Sequence, residues 1–532
     1  MRLNSMMRSV PPVWVLILLS IVLWGGEFVR RGLWEPDEAR YAYVAGEMRT
    51  GDHWFVPHIN GKPYPDKPPL MFWLINASAL LTGGDINGVS ARLPSLLGSI
   101  LTLWVVTRLL ARWHSTEAAW RAMLILLTAF LFWQEGSWGQ IDALLCGLVM
   151  MSTYFLFTSL EGLQRRREAL AYIFAGLAIL AKGPVGLIVP MGIFAVGAAV
   201  SGDSRALRRS HWLWGPLLAV SIPAVWLFAA WQQGAPADYF AAMFGEKSFG
   251  RAVQAKGHAR PFYYFLFHFP VELLPWTIFA PAALASFSDR LLKRRLVGWI
   301  VFVVVLFSLF VCKRNLYILA AYPAAAMLIG AAWGDILQLS RRWRFTTACV
   351  ASGLVWILAL AVGVAVFVPH IPFNNLVLLP SAFVLLAGGL FLVRLTRHEP
   401  LSTRWLLGFC ATFFLFQTTA GAVVLPAVNK LKGPVDAAKV AKTMLNADEP
   451  VYLYGQQLAI FPLYAERPGR ELWVIEDLKE VVSREPNALV VFRERQWRDV
   501  QSEIGESLSV VQAFSMGHKN LVLAASSQRD PR

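Results

Sequence analysis

Apolar runs long enough to cross a bilayer recur along the first four-fifths of the chain. They fall roughly at residues 12–29, 89–110, 117–135, 138–160, 169–181, 184–201, 212–232, 262–287, 296–311, 315–337, 345–368, 376–394 and 404–428. A helical span needs about 20 residues, and by that measure the fifth and ninth runs are short. The pattern predicts a polytopic α-helical membrane protein of about 13 transmembrane helices. The first run, PPVWVLILLSIVLWGGEFV, has no small-residue cleavage site and is followed by many like it, so it reads as a retained span rather than a signal peptide. Between the first two runs, PDEARYAYVAGEMRTG predicts a short helix along the membrane surface, with Tyr41, Val44 and Met48 on one side and Gly51 ending it. KPPLMFWLINASALL opens on prolines suited to a helix start and carries aromatic residues suited to the headgroup zone.

After Lys430 the pattern changes. GPVDAAKVAKTMLNA has an amphipathic helical period, while VYLYG, ELWVIE, ALVVF and LVLAA read as strands with helical stretches between them. The expected organisation is a membrane domain over 1–429, with interfacial helices in the first outer loop (about 30–88), and a small soluble α/β domain over 430–532.

Composition agrees with the pattern. The chain is 56% hydrophobic and 16% charged, with 22 Trp and 34 Phe, against an apolar share of about 45–50% in soluble domains. The net charge of +15 does not indicate a nucleic-acid partner, because the tail from Lys430 holds 14 Lys+Arg against 14 Asp+Glu. The excess therefore lies in the membrane part, at every second connection: RLLARWHSTEAAWR, EGLQRRRE, DSRALRRSH, SDRLLKRR, SRRWR and RLTRHEPLSTR. Basic loops stay cytoplasmic, which puts the N-terminus inside and the other loops, with the C-terminal domain, outside. The 4 cysteines, Cys146, Cys312, Cys349 and Cys410, lack metal-ligand spacing and lie in or beside apolar runs, so neither a disulfide framework nor a zinc site is expected.

That topology collects the unusual charges at one face. Asp37 and Glu38 lie in the first outer loop, followed by Asp66 and Lys67 in PYPDKPPL; Asp142 opens the fourth span, Lys182 closes the fifth, and Lys313 and Arg314 lie at the turn before the tenth. The other long outer loop, about 233–261, carries Arg251 and His258. Ionisable residues at membrane depth are costly and mark functional sites. Each also has a structural reading. Asp37 suits the N-cap of the interfacial helix, Glu38 a helix start or supporting carboxylate, and Asp142 an ion pair with Lys182. Lys67 suits a snorkelling side chain; Arg251, His258, Lys313 and Arg314 suit interfacial anchors. No carboxylate cluster has metal-ligand spacing, Asp66 with Glu246 being only a speculative pair.

The combination of PDEARYA, DKPPLMFW, ARLPS, an Asp heading the fourth span, AKGPVGL and a K-R-N-L-Y turn resembles the GT-C superfamily of membrane glycosyltransferases. Within it the chain is similar to the bacterial branch holding the undecaprenyl-phosphate aminoarabinose transferases of lipid A and the relatives of dolichyl-phosphate-mannose protein mannosyltransferases. The likeness runs from about residue 10 to 430, and the closing domain suits the aminoarabinose type. It implies inverting transfer of a sugar from a polyprenyl-phosphate donor to a hydroxyl or phosphate of lipid A or another envelope glycan, at the outer face of the bacterial inner membrane. One carboxylate must accept the acceptor's proton, and fixed cations must meet the charge growing on the departing phosphate.

By the resemblance Asp37 matches the family's catalytic Asp, with Glu38 and Asp142 beside it, and Lys67 matches its phosphate-binding Lys, with Arg251, Lys313 and Arg314 as companions. Arg40, Tyr41, Tyr64, Lys182, His258 and Tyr317 would line the substrate pocket. The lipid-linked sugar is the donor and no further cofactor is required, a divalent metal being left open. Membrane lipids, the polyprenyl-phosphate sugar and a glycolipid or protein acceptor are the expected partners of a monomer. Two alternatives stand: a protein O-mannosyltransferase-like activity, and a lipid-linked sugar transporter, which would place its charges midway across the membrane and often show internal repeats.

Overall fold

The computed structural model describes residues 9–160, 164–203, 206, 211–244, 259–369 and 373–527. The chain divides into two compact units. One comprises the described residues of Met1–Arg30, Pro65–Met71 and Arg92–Val424; the other comprises Arg31–Tyr64, Phe72–Ala91 and Leu425–Arg532.

The first unit is helical throughout. Among the described residues eight helices are long and apolar enough to cross a membrane, and two bent pairs raise the number to ten. Each of the thirteen apolar runs coincides with a helix or a bent pair. The three outside the ten are Arg165–Lys182, Val185–Val200 and Arg290–Ser308. Val185–Val200 has only 16 residues, and the other two begin inside basic loops, whose clustered arginines dilute their apolar stretch.

Both bends are hydrogen-bonded to each other. Thr116–Thr128 turns by 68° into Phe130–Ser137, and Tyr264–Glu272 turns by 100° into Trp276–Ser286. Phe130 N–H donates to Leu274 O at 3.0 Å, Trp276 Nε1 to Thr128 Oγ1 at 3.0 Å, and Gln417 Nε2 to Thr128 O at 3.1 Å. Broken helix at membrane depth is tolerated only where neighbouring protein satisfies the freed backbone, and these bonds do so. Beside them Trp276, Phe279, Trp405 and Phe409 stack with ring centroids 4.9–5.9 Å apart. Elsewhere the helices approach backbone to backbone: a Cβ on Gly98 would overlap Ala143, and one on Gly147 would overlap Gly98. This is the small-residue contact by which helices pack in lipid, and it fixes the helix that Asp142 opens.

The second unit is built on a five-stranded mixed sheet of β3 (Val451–Tyr454), β4 (Gly469–Leu472), β5 (Leu489–Arg493), β6 (Leu508–Met516) and β7 (Lys519–Ser526), in the order β4-β3-β5-β7-β6. β3 runs parallel to β4 and β5; β7 is antiparallel to β5 and β6. Alternate side chains feed two core layers, as the two-residue period of strands requires. Val451, Leu453, Leu489, Val491, Leu521 and Leu523 face one layer, while Tyr452, Val490, Phe492, Val522 and Ala524 face the other with Leu478, Trp497 and Val500. The four strands expected from sequence are present. β6 is an addition, and its alternation is weak because it is a largely exposed edge strand.

The first layer reaches back to the start of the chain. Leu33, Ala39, Ala42 and Ala91 pack in it beside Ala437, Ala438 and Phe461. The Asp37–Thr50 helix and a two-residue hairpin, β1 (His58–Ile59) with β2 (Lys62–Pro63), therefore belong to the same body as the C-terminal sheet. Tyr43 Oη accepts the Gly469 N–H at 2.8 Å, and Asn60 Nδ2 donates to Glu471 Oε1 at 2.8 Å. A helix is present over the stretch expected to form one, and its inward face packs on the core of this sheet.

Candidate functional site

In the second unit the candidate carboxylates have distinct surroundings. Pro36, following a cis peptide bond, occupies the N-cap position of Asp37–Thr50 and provides no side-chain cap, so Asp37 is the first helical residue and not the cap. A carboxylate in that first turn sits favourably at the positive end of the helix dipole. Asp37 is 7% exposed. Glu38 accepts two hydrogen bonds from Arg31, Nη1 to Oε2 and Nη2 to Oε1, each at 2.7 Å, and a third from Trp34 N–H at 3.2 Å. Arg31 lies over the Trp34 ring at 4.6 Å. This forked pair is almost completely buried, with side-chain exposures of 0% and 2%. Just upstream, Glu35 Oε2 accepts from Lys519 Nζ at 2.6 Å.

One turn along the helix, Arg40 lies within electrostatic reach of Asp37, Tyr41 and Tyr64. Burial pulls its guanidinium down, but Tyr64, then Asp37 and Tyr41, lift it above its ordinary value, so it stays cationic. Tyr41 and Tyr64 set their rings edge-on to Phe72, with centroids 5.9 Å and 6.3 Å away. Asp37, Arg40, Tyr41 and Tyr64 are thus brought together: a carboxylate, a permanent cation and two phenols on a rigid helix and its neighbours. Such a group has the means to accept a proton and to bind hydroxylated or anionic substrate.

In the first unit a second set converges. Asp142, the second residue of Ile141–Ser159, pairs with Lys182 at the end of Arg165–Lys182. The Lys182 ammonium lies 4.6 Å from the Tyr317 ring centre, and Tyr317 belongs to the 3-10 helix Asn315–Ala321. The expected Asp142–Lys182 pair is therefore present, with Tyr317 as its third member. Lys313 is 4% exposed and donates to the carbonyls of Arg260 and Phe310, so its charge holds a turn together. Arg314 begins the 3-10 helix as its N-cap residue and is half-buried. Asp66 and Lys67 lie half-buried in the turn before Leu70–Leu81. Arg251, His258 and Glu246 lie outside the described residues. Among the described residues no group of three or more His, Cys, Asp or Glu side chains is arranged to hold a metal.

Sequence reading missed two features. Arg31 is the partner of Glu38; its signal is the Arg30–Arg31 pair that closes the first apolar run, seven residues upstream of Glu38. Glu272 was passed over inside the eighth run, in FHFPVELLPW. It is buried, and its Oε1 accepts from Asn315 Nδ2 at 2.7 Å. The only carboxylate of a largely apolar run, four residues after His268, is the available signal.

Comparison with known proteins gives one consistent class. The profile of the family described as dolichyl-phosphate-mannose-protein mannosyltransferase matches residues 66–231. The undecaprenyl phosphate-alpha-4-amino-4-deoxy-L-arabinose arabinosyl transferase of Edwardsiella ictaluri is 30% identical over 337 residues, which is 61% of this chain and 59% of that protein. Its counterpart in Aeromonas salmonicida is 30% identical over 368 residues, 66% and 65% of the two chains. The matched region thus spans less than two thirds of either relative. The crystal structure of ArnT from Cupriavidus metallidurans superposes with a TM-score of 0.79 at 21% identity, covering 98% of this chain and 99% of that one, both in the apo state and bound to undecaprenyl phosphate. At that identity the likeness is one of fold: the chain has the architecture of ArnT, is similar in sequence to the aminoarabinose transferases, and is a multi-pass membrane protein.

Proposed function

We propose that this protein is an inverting, undecaprenyl-phosphate-dependent glycosyltransferase of the ArnT type, transferring an amino sugar to lipid A or a related envelope glycan at the outer face of the bacterial inner membrane. The observation that carries the reading is fold likeness across nearly the whole chain to a protein that binds undecaprenyl phosphate, joined to sequence likeness to enzymes named for that donor. The membrane helices lie within residues 1–429, with a cytoplasmic N-terminus, and residues 430–532 are periplasmic together with the first-loop segments that share their core.

In this mechanism the acceptor oxygen attacks the anomeric carbon while the bond to the lipid phosphate breaks on the opposite face. Asp37 takes the acceptor's proton as general base; its place at the head of a helix, with Arg40 holding positive charge nearby, supports that role. Lys67 and Arg251 hold the leaving phosphate, whose growing charge fixed cations stabilise. Glu38 holds the Asp37 helix through Arg31; Tyr41 and Tyr64 of the second unit, and separately Lys182 and Tyr317 of the first, are the proposed substrate-binding residues. Asp142 orients Lys182. Lys313 and Arg314 shape the turn that carries Tyr317.

The test is transfer by purified protein in nanodiscs, from undecaprenyl phosphate bearing 4-amino-4-deoxy-arabinose to lipid A, read by mass spectrometry. The expected result is lipid A heavier by one aminopentose. The match to the mannosyltransferase profile favours a second reading, protein glycosylation; under it the sugar would appear on polypeptide. A donor moved between leaflets with its glycosidic bond intact would overturn both in favour of a transporter.

A further inference from the structure

Glu272 occupies a position that is unfavourable in three ways at once. It lies in a segment read as part of a membrane span, it ends the Tyr264–Glu272 helix where the helix dipole is negative, and it is 91% buried, being 9% exposed. Among the described residues it makes no ion pair. Its Oε1 is bonded to Asn315 Nδ2, while its Oε2 has no hydrogen-bond partner among the described residues. Tyr322, fully buried and within electrostatic reach of the carboxylate, has a hydroxyl that is likewise without a partner among the described residues. The Tyr322 ring is fixed by Phe269 at 5.1 Å, and His268 is stacked on Tyr264 at 3.7 Å with Nδ1 engaged by the Tyr264 carbonyl. Buried polar atoms of native proteins are nearly always paired, so two unpaired atoms on groups within electrostatic reach of each other call for a donor from elsewhere. Asn315, which orients the carboxylate, shares its 3-10 helix with Tyr317, a residue of the proposed substrate pocket.

We infer that Glu272 and Tyr322, oriented by Asn315, form a binding site for a protonated primary amine, the amino group of the transferred sugar. This rests on the proposed glycosyltransferase reading and extends it to sugar selection. An ammonium has three donors and one positive charge. It satisfies Oε2 and the Tyr322 hydroxyl together and neutralises the carboxylate; a neutral hydroxyl at the same place provides one donor and no charge. A metal ion is a poor fit to one carboxylate and one phenol, which leave most of its coordination unfilled.

The experiment uses the full chain in nanodiscs with two lipids, undecaprenyl phosphate bearing 4-amino-4-deoxy-arabinose and the same lipid bearing arabinose, with a hydroxyl in place of the amine. Binding of each is measured by native mass spectrometry, and transfer is measured in parallel. Wild type should hold the amino lipid about 10–100-fold more tightly, the range for a charge-assisted hydrogen bond. Glu272→Gln, which keeps shape and a carbonyl for Asn315, should remove that preference and leave the hydroxyl lipid unaffected. Tyr322→Phe should reduce the preference several-fold; it carries the test if the Gln variant does not assemble. Absence of preference in wild type, or equal loss for both lipids in the variants, overturns the inference. Preference without transfer refutes the proposed activity and leaves the amine site standing; transfer without preference does the reverse.

Discussion

At the scale of single residues, the adjacent carboxylates Asp37 and Glu38 should separate cleanly in their effects. Asp37→Asn removes basicity while keeping shape, and Asp37 is not the helix cap, so stability and donor binding should stay near wild type. Turnover should fall roughly 10²–10⁴-fold, the usual contribution of a general base; near-full turnover would exclude Asp37 from that role. Glu38→Gln should do the opposite. It removes the negative charge from the buried Arg31–Glu38 fork, and breaking such a pair costs about 3–5 kcal/mol, so thermal stability should drop markedly while turnover per folded molecule changes less. Equal stability of the two variants would show that the forked pair contributes little. The sequence made the two acids conspicuous but not their division of labour, because that depends on Arg31 folding back over Trp34. Glu272 shows the same limit: one letter in an apolar run identifies a cost, and only the packing of Asn315 and Tyr322 shows where the cost is met.

At the scale of elements, periodicity located almost every helix of the membrane unit, since a span is a local property of about 20 consecutive residues. It did not locate the bends at Ala129 and Pro275. Those depend on bonds across long sequence distances, including one from Gln417 to Thr128 O. Gln417→Leu should leave that carbonyl without its donor, costing about 1–3 kcal/mol, and should be read as a lowered melting temperature in detergent; an unchanged value would mean the bend stands without it. In the second unit β6 escaped notice for the complementary reason. With one edge and much of both faces in solvent, Ser509, Val510 and Gln512 have little need to alternate. ELWVIE, by contrast, reads as a longer strand than it forms: β4 ends at Leu472, and Trp473 and Val474 are 54% and 49% exposed.

At the scale of the whole molecule, alternating basic loops predict an orientation that side-chain labelling will check. In a background lacking the four cysteines, Cys substituted at the exposed positions Ala237 and Ser507 should react with an impermeant thiol reagent in intact spheroplasts, and Cys at exposed Gln338 should not. Labelling at Gln338 alone would invert the protein and move Asp37 to the cytoplasm. The broad order of membrane part followed by soluble part is legible in hydropathy. That Asp37–Thr50 packs in the same core as β3, β5 and β7 is not, because nothing local connects Ala39 to Val451. The Lys519–Glu35 bond joins residues 484 positions apart. Ribosomes add about 5–20 residues each second, so the segment bearing Asp37 waits for tens of seconds before the strand that completes its core is made. A message cut short near its end would therefore yield a chain whose membrane helices are complete but whose Asp37–Thr50 helix is left uncovered, a ready substrate for proteases.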